Sequence, residues 1–245
     1  MSAANRLRYE PAERLILVVG NYGSGKTEVS VNLALELADR GAVTIVDLDI
    51  VNPYFRCREA REEMEAKGIR VLYPQGDYHS ADLPIILPEV KGAVADDTAV
   101  TILDVGGDDV GARVLSGIAE VVLARPHLVL QVVNARRPFT GDVAGCLKIR
   151  DEIEAASRLR VTGVVSNTHL LEETDAATVR EGIALAREVA RAAGVTFEFV
   201  TVERRLLPDL EDVTEPPFLA IERRMLKPWE LTKKTDHADW IRKHG

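Results

Sequence analysis

The chain has 245 residues, of which 46% are hydrophobic and 29% charged, with a formal net charge of −8 and a pI near 5.3. That composition excludes a disordered chain and argues against a broad nucleic-acid surface, and the length fits one α/β domain. No apolar run approaches the ~20 residues of a membrane span, and residues 1–13 are polar with no leader-like apolar stretch, so a cytoplasmic protein is expected.

Residues 1–13 read as a frayed lead-in. Leu15–Val19 is an apolar run suited to a strand covered on both faces. Gly20-Asn21-Tyr22-Gly23-Ser24-Gly25-Lys26-Thr27 follows, and from Glu28 to Arg40 apolar residues recur at helical spacing until Gly41. Val43–Val46 is a second strand leading into Asp47-Leu48-Asp49. Pro53 biases the next stretch to a loop, after which a helix with a charged face reaches about Lys67. Ile69–Leu72 is a short strand. Tyr73 to Asp97 is rich in proline and glycine, with a short helix after Pro88. Val100–Leu103 is a strand ending in Asp104-Val105-Gly106-Gly107-Asp108, and a helix is expected over Gly111–Ala124. Leu128–Val133 is a strand ending at Asn134, Thr140–Arg158 a helix, and Val161–Val165 a strand ending in Ser166-Asn167-Thr168. Ala176–Ala193 is a long helix closed by Gly194, and Phe197–Val202 is expected as the last strand. From about Phe218 the tail is expected to be helical and packed on an edge. Strands alternating with helices in this way predict a doubly wound, mostly parallel sheet in a three-layer α/β/α arrangement. The whole of 1–245 is read as a single nucleotide-binding domain.

The glycine-rich stretch lies between a strand and a helix and matches G-x-x-x-x-G-K-[ST] at each fixed position. The physical reasons are separable. Gly20, Gly23 and Gly25 let the loop curl its N–H groups round an anion, with Asn21, Tyr22 and Ser24 adding further amides. The helix N-terminus adds partial positive charge. Lys26 can reach terminal phosphates, and the Thr27 hydroxyl can ligate Mg²⁺.

In open α/β sheets ligands bind outside the carboxyl ends of the strands, which gives the other polar residues at those ends their meaning. Asp104, ending an apolar strand, is the candidate to hold the Mg²⁺ shell, with Asp47 beside it. Asp49 is the candidate to orient an attacking water. Gly107 is placed to offer a backbone N–H to a terminal phosphate and so to sense its loss. Asn167 is a candidate to hydrogen-bond the base. Cys57 and Cys146 lie far apart and form neither a disulfide framework nor a zinc motif.

The run Gly25-Lys26-Thr27-Glu28-Val29-Ser30-Val31-Asn32-Leu33-Ala34, followed by Val46-Asp47-Leu48-Asp49, resembles the MinD/ParA/Mrp-type P-loop ATPases. These belong to a wider group with the signal-recognition GTPases, the arsenite-pump ATPase and the nitrogenase iron protein. The resemblance spans roughly residues 15–205. It implies a seven- or eight-stranded sheet, ATP and Mg²⁺, slow hydrolysis, and a nucleotide-controlled homodimer that switches a partner protein. It assigns Asp47 and Asp49 to the Asp-x-Asp pair, Asp104 to the metal-shell carboxylate and Asn167 to base reading.

The sequence departs from that pattern at two loop positions. Members of the deviant type carry lysine where Asn21 stands, reaching across the dimer to the partner's phosphates, and Tyr22 replaces a usual glycine. Arg56, Arg136 and Arg137 are the candidate replacements for the missing charge. Glu28 stands where a second Thr or Ser usually touches the α-phosphate, and a carboxylate there repels phosphate unless it turns away to solvent. The cysteine that ligates a cluster in the nitrogenase iron protein is Gly111 here, so no iron–sulfur role is expected, and the Mrp-type Cys-x-x-Cys is absent. The C-terminal tail, with Trp229, Trp240 and Pro228, has too poor an apolar stripe for a membrane-targeting helix. Two alternatives to the ATPase switch stay open. One is an ATP-dependent transferase, a small-molecule kinase or dethiobiotin-synthetase-like ligase, with Asp77, Tyr78, His79 and Asp82 lining an acceptor site. The other is a module that binds nucleotide without hydrolysing it.

Overall fold

A computed structural model of the chain describes residues 9–49, 60–72, 88–107 and 109–225. The elements in order are β1 (Leu15–Gly20), α1 (Lys26–Ala38), β2 (Val43–Leu48), α2 (Arg61–Ala66), β3 (Arg70–Leu72), α3 (Pro88–Ala95), β4 (Val100–Val105), α4 (Asp109–Ser116), α5 (Ala119–Leu123), β5 (Leu128–Val133), α6 (Val143–Ser157), β6 (Gly163–Ser166), α7 (Ala176–Ala193), β7 (Thr196–Glu203) and β8 (Phe218–Ile221). A 3₁₀ turn at Leu171–Glu173 and a seven-residue 3₁₀ helix at Arg204–Leu210 complete the described set.

The strands form one eight-stranded sheet in the order β3-β2-β4-β1-β5-β6-β7-β8, every adjacent pair parallel. The chain therefore reverses direction across the sheet at β1, whose neighbours β4 and β5 are both distant in sequence. That is the topological switch point at which ligands bind in such sheets. Register brings Asp47 directly beside Asp104 and Gly20 beside Val132.

Period-two alternation sorts the core into two layers. Ile16 and Val18 of β1 pack with Ile45, Ile102, Leu130, Val132 and Phe199 beneath α1. Leu15, Leu17 and Val19 face the other way, with Leu103, Val105 and Val129, beneath α3, α4 and α5. Buried on both faces, β1, β2 and β5 show no exposed residue, the burial expected of parallel strands between helices. Helices α6 and α7 cover Val133 and Val164, and α7 also packs over Val200 and Val202.

Several expectations need correction. The tail from Phe218 is not helical at its start: Phe218–Ile221 is an eighth strand, β8, paired with β7 from Val200↔Phe218 to Glu203↔Ile221. With four residues and few β-branched side chains, it offers too short a pattern to register in the sequence. The single helix expected over Gly111–Ala124 is two, α4 and α5, broken at Gly117. Helix α6 begins three residues later than expected, where the Asp142 side chain caps it by accepting from Gly145 N at 2.7 Å. Within the lead-in, Tyr9 is not frayed: its ring centroid lies 4.5 Å from that of Phe199 and its hydroxyl donates to Glu198 at 2.8 Å. The loop at Pro53 with Arg56, Cys57, the acceptor-site candidates Asp77, Tyr78, His79 and Asp82, the position Asp108, and the tail from 226 with both tryptophans lie outside the described residues.

Candidate functional site

The stretch from Gly20 to Thr27 curls between β1 and α1, with Ser24 N bonded to Asn21 O at 3.2 Å and Val29 N to Gly25 O at 3.0 Å. Gly25 is the residue before the helix and takes a left-handed conformation, φ 88°, and no side chain caps the first N–H groups of α1. Lys26 is 7% exposed, and its ammonium group donates to Asn21 O at 3.1 Å, closing the loop on itself.

Gly107, at the end of β4, lies against the same loop. A Cβ there would meet Lys26 Nζ at 2.5 Å and the backbone of Tyr22 at 2.8 Å, so only glycine permits the approach. Asp104 and Asp47 lie below, buried and adjacent across β2 and β4. Asp104 Oδ1 accepts from Ser30 Oγ at 3.0 Å, and its Oδ2 is buried with no hydrogen-bond partner among the described residues. Burial, and next the negative charge of Asp47, push the Asp104 carboxyl above the usual carboxylate range, while Thr27, Lys26 and Ser30 pull the other way. Two buried carboxylates with an orphaned oxygen, beside a threonine hydroxyl, are suited to a hard divalent cation. Among the described residues no group of three or more His, Cys, Asp or Glu is placed to hold a metal ion. Asp47 Oδ1 accepts from Asp49 N at 3.0 Å, and Asp49 itself borders the cavity described next.

A cavity of about 420 Å³ runs from this loop along the carboxyl ends of β6, β7 and β8. That volume suits a ligand of nucleotide size. It is lined by Tyr22, Gly23, Gly25, Lys26, Thr27, Glu28, Asp49 and Gly107, and by Asn167, His169, Leu171, Val179, Glu203, Arg223 and Met225. His169 lies beside the loop, its Nε2 3.6 Å from where a Cβ on Gly25 would stand, and Met225 N bonds the Glu28 carboxylate. Burial first, then the charge of Arg137, hold the His169 imidazole down at about 4, so it is neutral at ordinary pH. Of the nominated loop residues, Gly20, Asn21 and Ser24 support the loop without lining the cavity.

Two nominated residues make contacts that the sequence did not announce. The Asn167 amide is 2% exposed: Nδ2 donates to Ser24 O at 2.8 Å, and Oδ1 accepts from the Thr201 hydroxyl at 2.5 Å. It braces the loop from β6 and also borders the cavity, with its second Nδ2 hydrogen uncommitted to these bonds. Glu28 neither meets the loop's anion pocket alone nor turns to solvent. Its carboxylate accepts from Arg224 N and Met225 N, each at 2.9 Å, and from Asn32 Nδ2 at 2.8 Å. The first turn of α1 is thereby fastened to the segment leaving β8.

Of the arginines weighed as replacements for the missing loop cation, Arg136 pairs with Glu181 on α7, whereas Arg137 borders the cavity. The lining contributed by β7 and the segment at β8 was not anticipated. Glu203 ends β7, and the strand-end rule reaches it. Ile221, Arg223 and Met225 depend on β8, which the sequence pattern does not announce.

No protein-family model matches the sequence, and no curated protein matches it. Among solved structures, the chain is similar to the signal recognition particle 54 kDa protein of Aeropyrum pernix in complex with GDP, at 19% identity and TM-score 0.50 over 80% of this chain and 42% of that one. It is also similar to the cell division protein FtsY of Thermotoga maritima (24% identity, TM-score 0.49, 82% of this chain and 67% of that one). Chloroplast FtsY of Physcomitrella patens gives 21% identity and TM-score 0.49 over 79% of this chain and 60% of that one. The chain thus spans from 42% to 67% of the length of these proteins. At such identities a likeness carries the fold, and the narrower MinD/ParA/Mrp resemblance rests on the sequence motifs. Sheet order, phosphate loop and structural likeness agree on one architecture: the chain has the three-layer α/β/α fold of P-loop NTPases.

Proposed function

We propose that the chain is a Mg²⁺-dependent ATP-binding protein, a slow ATPase of the MinD/ParA/Mrp kind that acts as a nucleotide-controlled switch on a partner protein. The observation that carries this reading is the placement of buried Lys26 and Gly107 against one loop, directly above the buried pair Asp47 and Asp104. The loop amides and Lys26 bind the triphosphate. Thr27, Asp47 and Asp104 would hold Mg²⁺, which when bound neutralises charge on the terminal phosphates. Asp49 orients the water that attacks in line, and Gly107 passes the loss of phosphate to the segment after β4.

ATP is preferred to GTP in this reading because the sequence Asn167-Thr168-His169-Leu170 lacks a carboxylate after β6 to pair with a guanine edge. Neutral His169 and apolar Leu171, Val179 and Met225 offer a purine surface to pack on, beside the charged Glu203 and Arg223. The complex with GDP of one similar structure makes this the point to test first. The expected result of calorimetry is binding of ATP with Mg²⁺, weaker binding of GTP, and loss of both in Lys26→Ala. Unchanged affinity in that variant removes the proposal. No helix among the described residues is long and apolar enough to cross a membrane.

A further inference from the structure

Asn21 occupies the loop position at which a cation was expected, and it does something else there. Its Nδ2 donates to Pro138 O at 3.1 Å, its Oδ1 accepts from Tyr22 N at 2.9 Å, and its backbone oxygen accepts from Lys26 Nζ at 3.1 Å. It is the joint between the phosphate loop and the connection from β5 to α6. That connection is held in shape from its own side. Arg136 N bonds Asn134 Oδ1 at 2.9 Å, Arg137 N bonds Asn134 O at 3.1 Å, the Thr140 hydroxyl bonds Asn134 O at 2.8 Å, and Ala135 N bonds the Thr168 hydroxyl at 3.0 Å.

The result is to hang one guanidinium over the loop. A Cβ at Gly23 would meet Arg137 Cζ and Nε at 3.6 Å and Nη1 at 3.7 Å, and Arg137 lines the cavity. Its charge is also felt by His169 inside that cavity. Neighbouring arginines are engaged: Arg136 with Glu181, and Arg223 with Glu172 at 3.7 Å. Among the described residues, no carboxylate or carbonyl oxygen bonds the Arg137 guanidinium. A planar five-donor cation beside an anion-binding loop is the side chain best suited to phosphate.

We infer that Arg137 supplies from within the same chain a second positive charge over the polyphosphate, beside that of Lys26, and that Asn21 is the residue that positions it. This rests on the nucleotide reading above. Arg137 binds phosphate oxygens directly; Asn21 acts through the Pro138 carbonyl.

The test compares wild type with Arg137→Ala, Arg137→Lys, Asn21→Ala and the double variant Asn21→Ala/Arg137→Ala, using calorimetry with ATP, ADP and adenosine in Mg²⁺. Arg136→Ala is the control. Arg137→Ala should weaken ATP by about tenfold to a hundredfold, as loss of a charge-assisted contact does, and leave adenosine unchanged. Arg137→Lys should recover part of the loss. Asn21→Ala should lose less, and the double variant no more than Arg137→Ala alone, because both act through one group. Wild-type ATP affinity in Arg137→Ala overturns the inference, as does an equal loss for adenosine. Additive losses overturn the positioning role of Asn21. If Lys26→Ala abolishes ATP binding while Arg137→Ala does not, this inference fails and the nucleotide reading stands. If wild type binds no nucleotide, both fail.

Discussion

At the scale of single residues the site holds more negative charge than a stable fold favours. Asp47 and Asp104 are cross-strand neighbours, both buried, and like charges directly opposite on a sheet repel. Replacing one by its neutral isostere keeps the shape and removes the repulsion. Asp104→Asn should therefore raise the stability of the ligand-free protein by about 1 kcal/mol, while ATP binding loses its dependence on Mg²⁺. Urea denaturation without nucleotide, and calorimetry with and without EDTA, read the two effects separately. A destabilised variant would mean that the carboxylate is held by favourable contacts and is not a strained ligand. Lys26 was legible because a motif fixes its place in the chain, and the two aspartates because each stands at the end of an apolar run. Asn167 was legible as a strand-end residue, but not what it does there: its partners Ser24 and Thr201 come from β1's loop and β7, a meeting that only the folded sheet creates.

At the scale of elements, α1 joins two parts of the site. Its first turn follows the phosphate loop, and Glu28 in that turn holds the two backbone N–H groups after β8. Asn32, one turn on, exchanges bonds with Glu222, accepting from its N–H at 3.1 Å and donating to its carbonyl at 3.2 Å. Arg224 closes the arrangement on Glu63 of α2 at 2.9 Å. Burial raises the Glu28 carboxyl above its ordinary range, and the bonds from Met225 and Arg224 offset part of that. Glu28→Ala would leave these N–H groups unsatisfied at a cost of about 1–3 kcal/mol. Because Arg223 and Met225 line the cavity and the segment carrying them is held by Glu28, the variant should bind adenosine more weakly and tripolyphosphate as before. A loss confined to tripolyphosphate would place Glu28 at the phosphate end instead. The sequence marked Glu28 as out of pattern. It did not show where the carboxylate goes, because its partners Arg224 and Met225 lie 196 and 197 residues away, just past a strand too short to be read.

At the scale of the whole molecule, the sheet divides at β1. Strands β3, β2 and β4 lie on one side with the acidic pair, and β5, β6, β7 and β8 on the other with His169, Glu203 and Arg223 of the cavity lining. Alternation of long apolar strands with helices made this architecture legible in outline, whereas the eighth strand and the split of α4 from α5 depend on four-residue patterns and one glycine. The cavity meets both sides: Asp49 and Gly107 border it from one, His169, Glu203 and Arg223 from the other. A nucleotide spanning it links the two halves, while its parts do not. Anything that binds only the native state stabilises it, and locally bound ligands slow the local openings that expose the amides they cover. Amide hydrogen exchange with Mg²⁺ and tripolyphosphate should therefore slow chiefly at the start of α1 and the ends of β2 and β4. Adenosine should act chiefly at the ends of β6, β7 and β8. ATP with Mg²⁺ should protect both regions, and raise the melting temperature by more than the two parts together, because one molecule bears the entropy cost of association once. Protection by ATP of the phosphate side alone would mean that the base lies elsewhere, and that the space beyond Asn167 belongs to a different ligand.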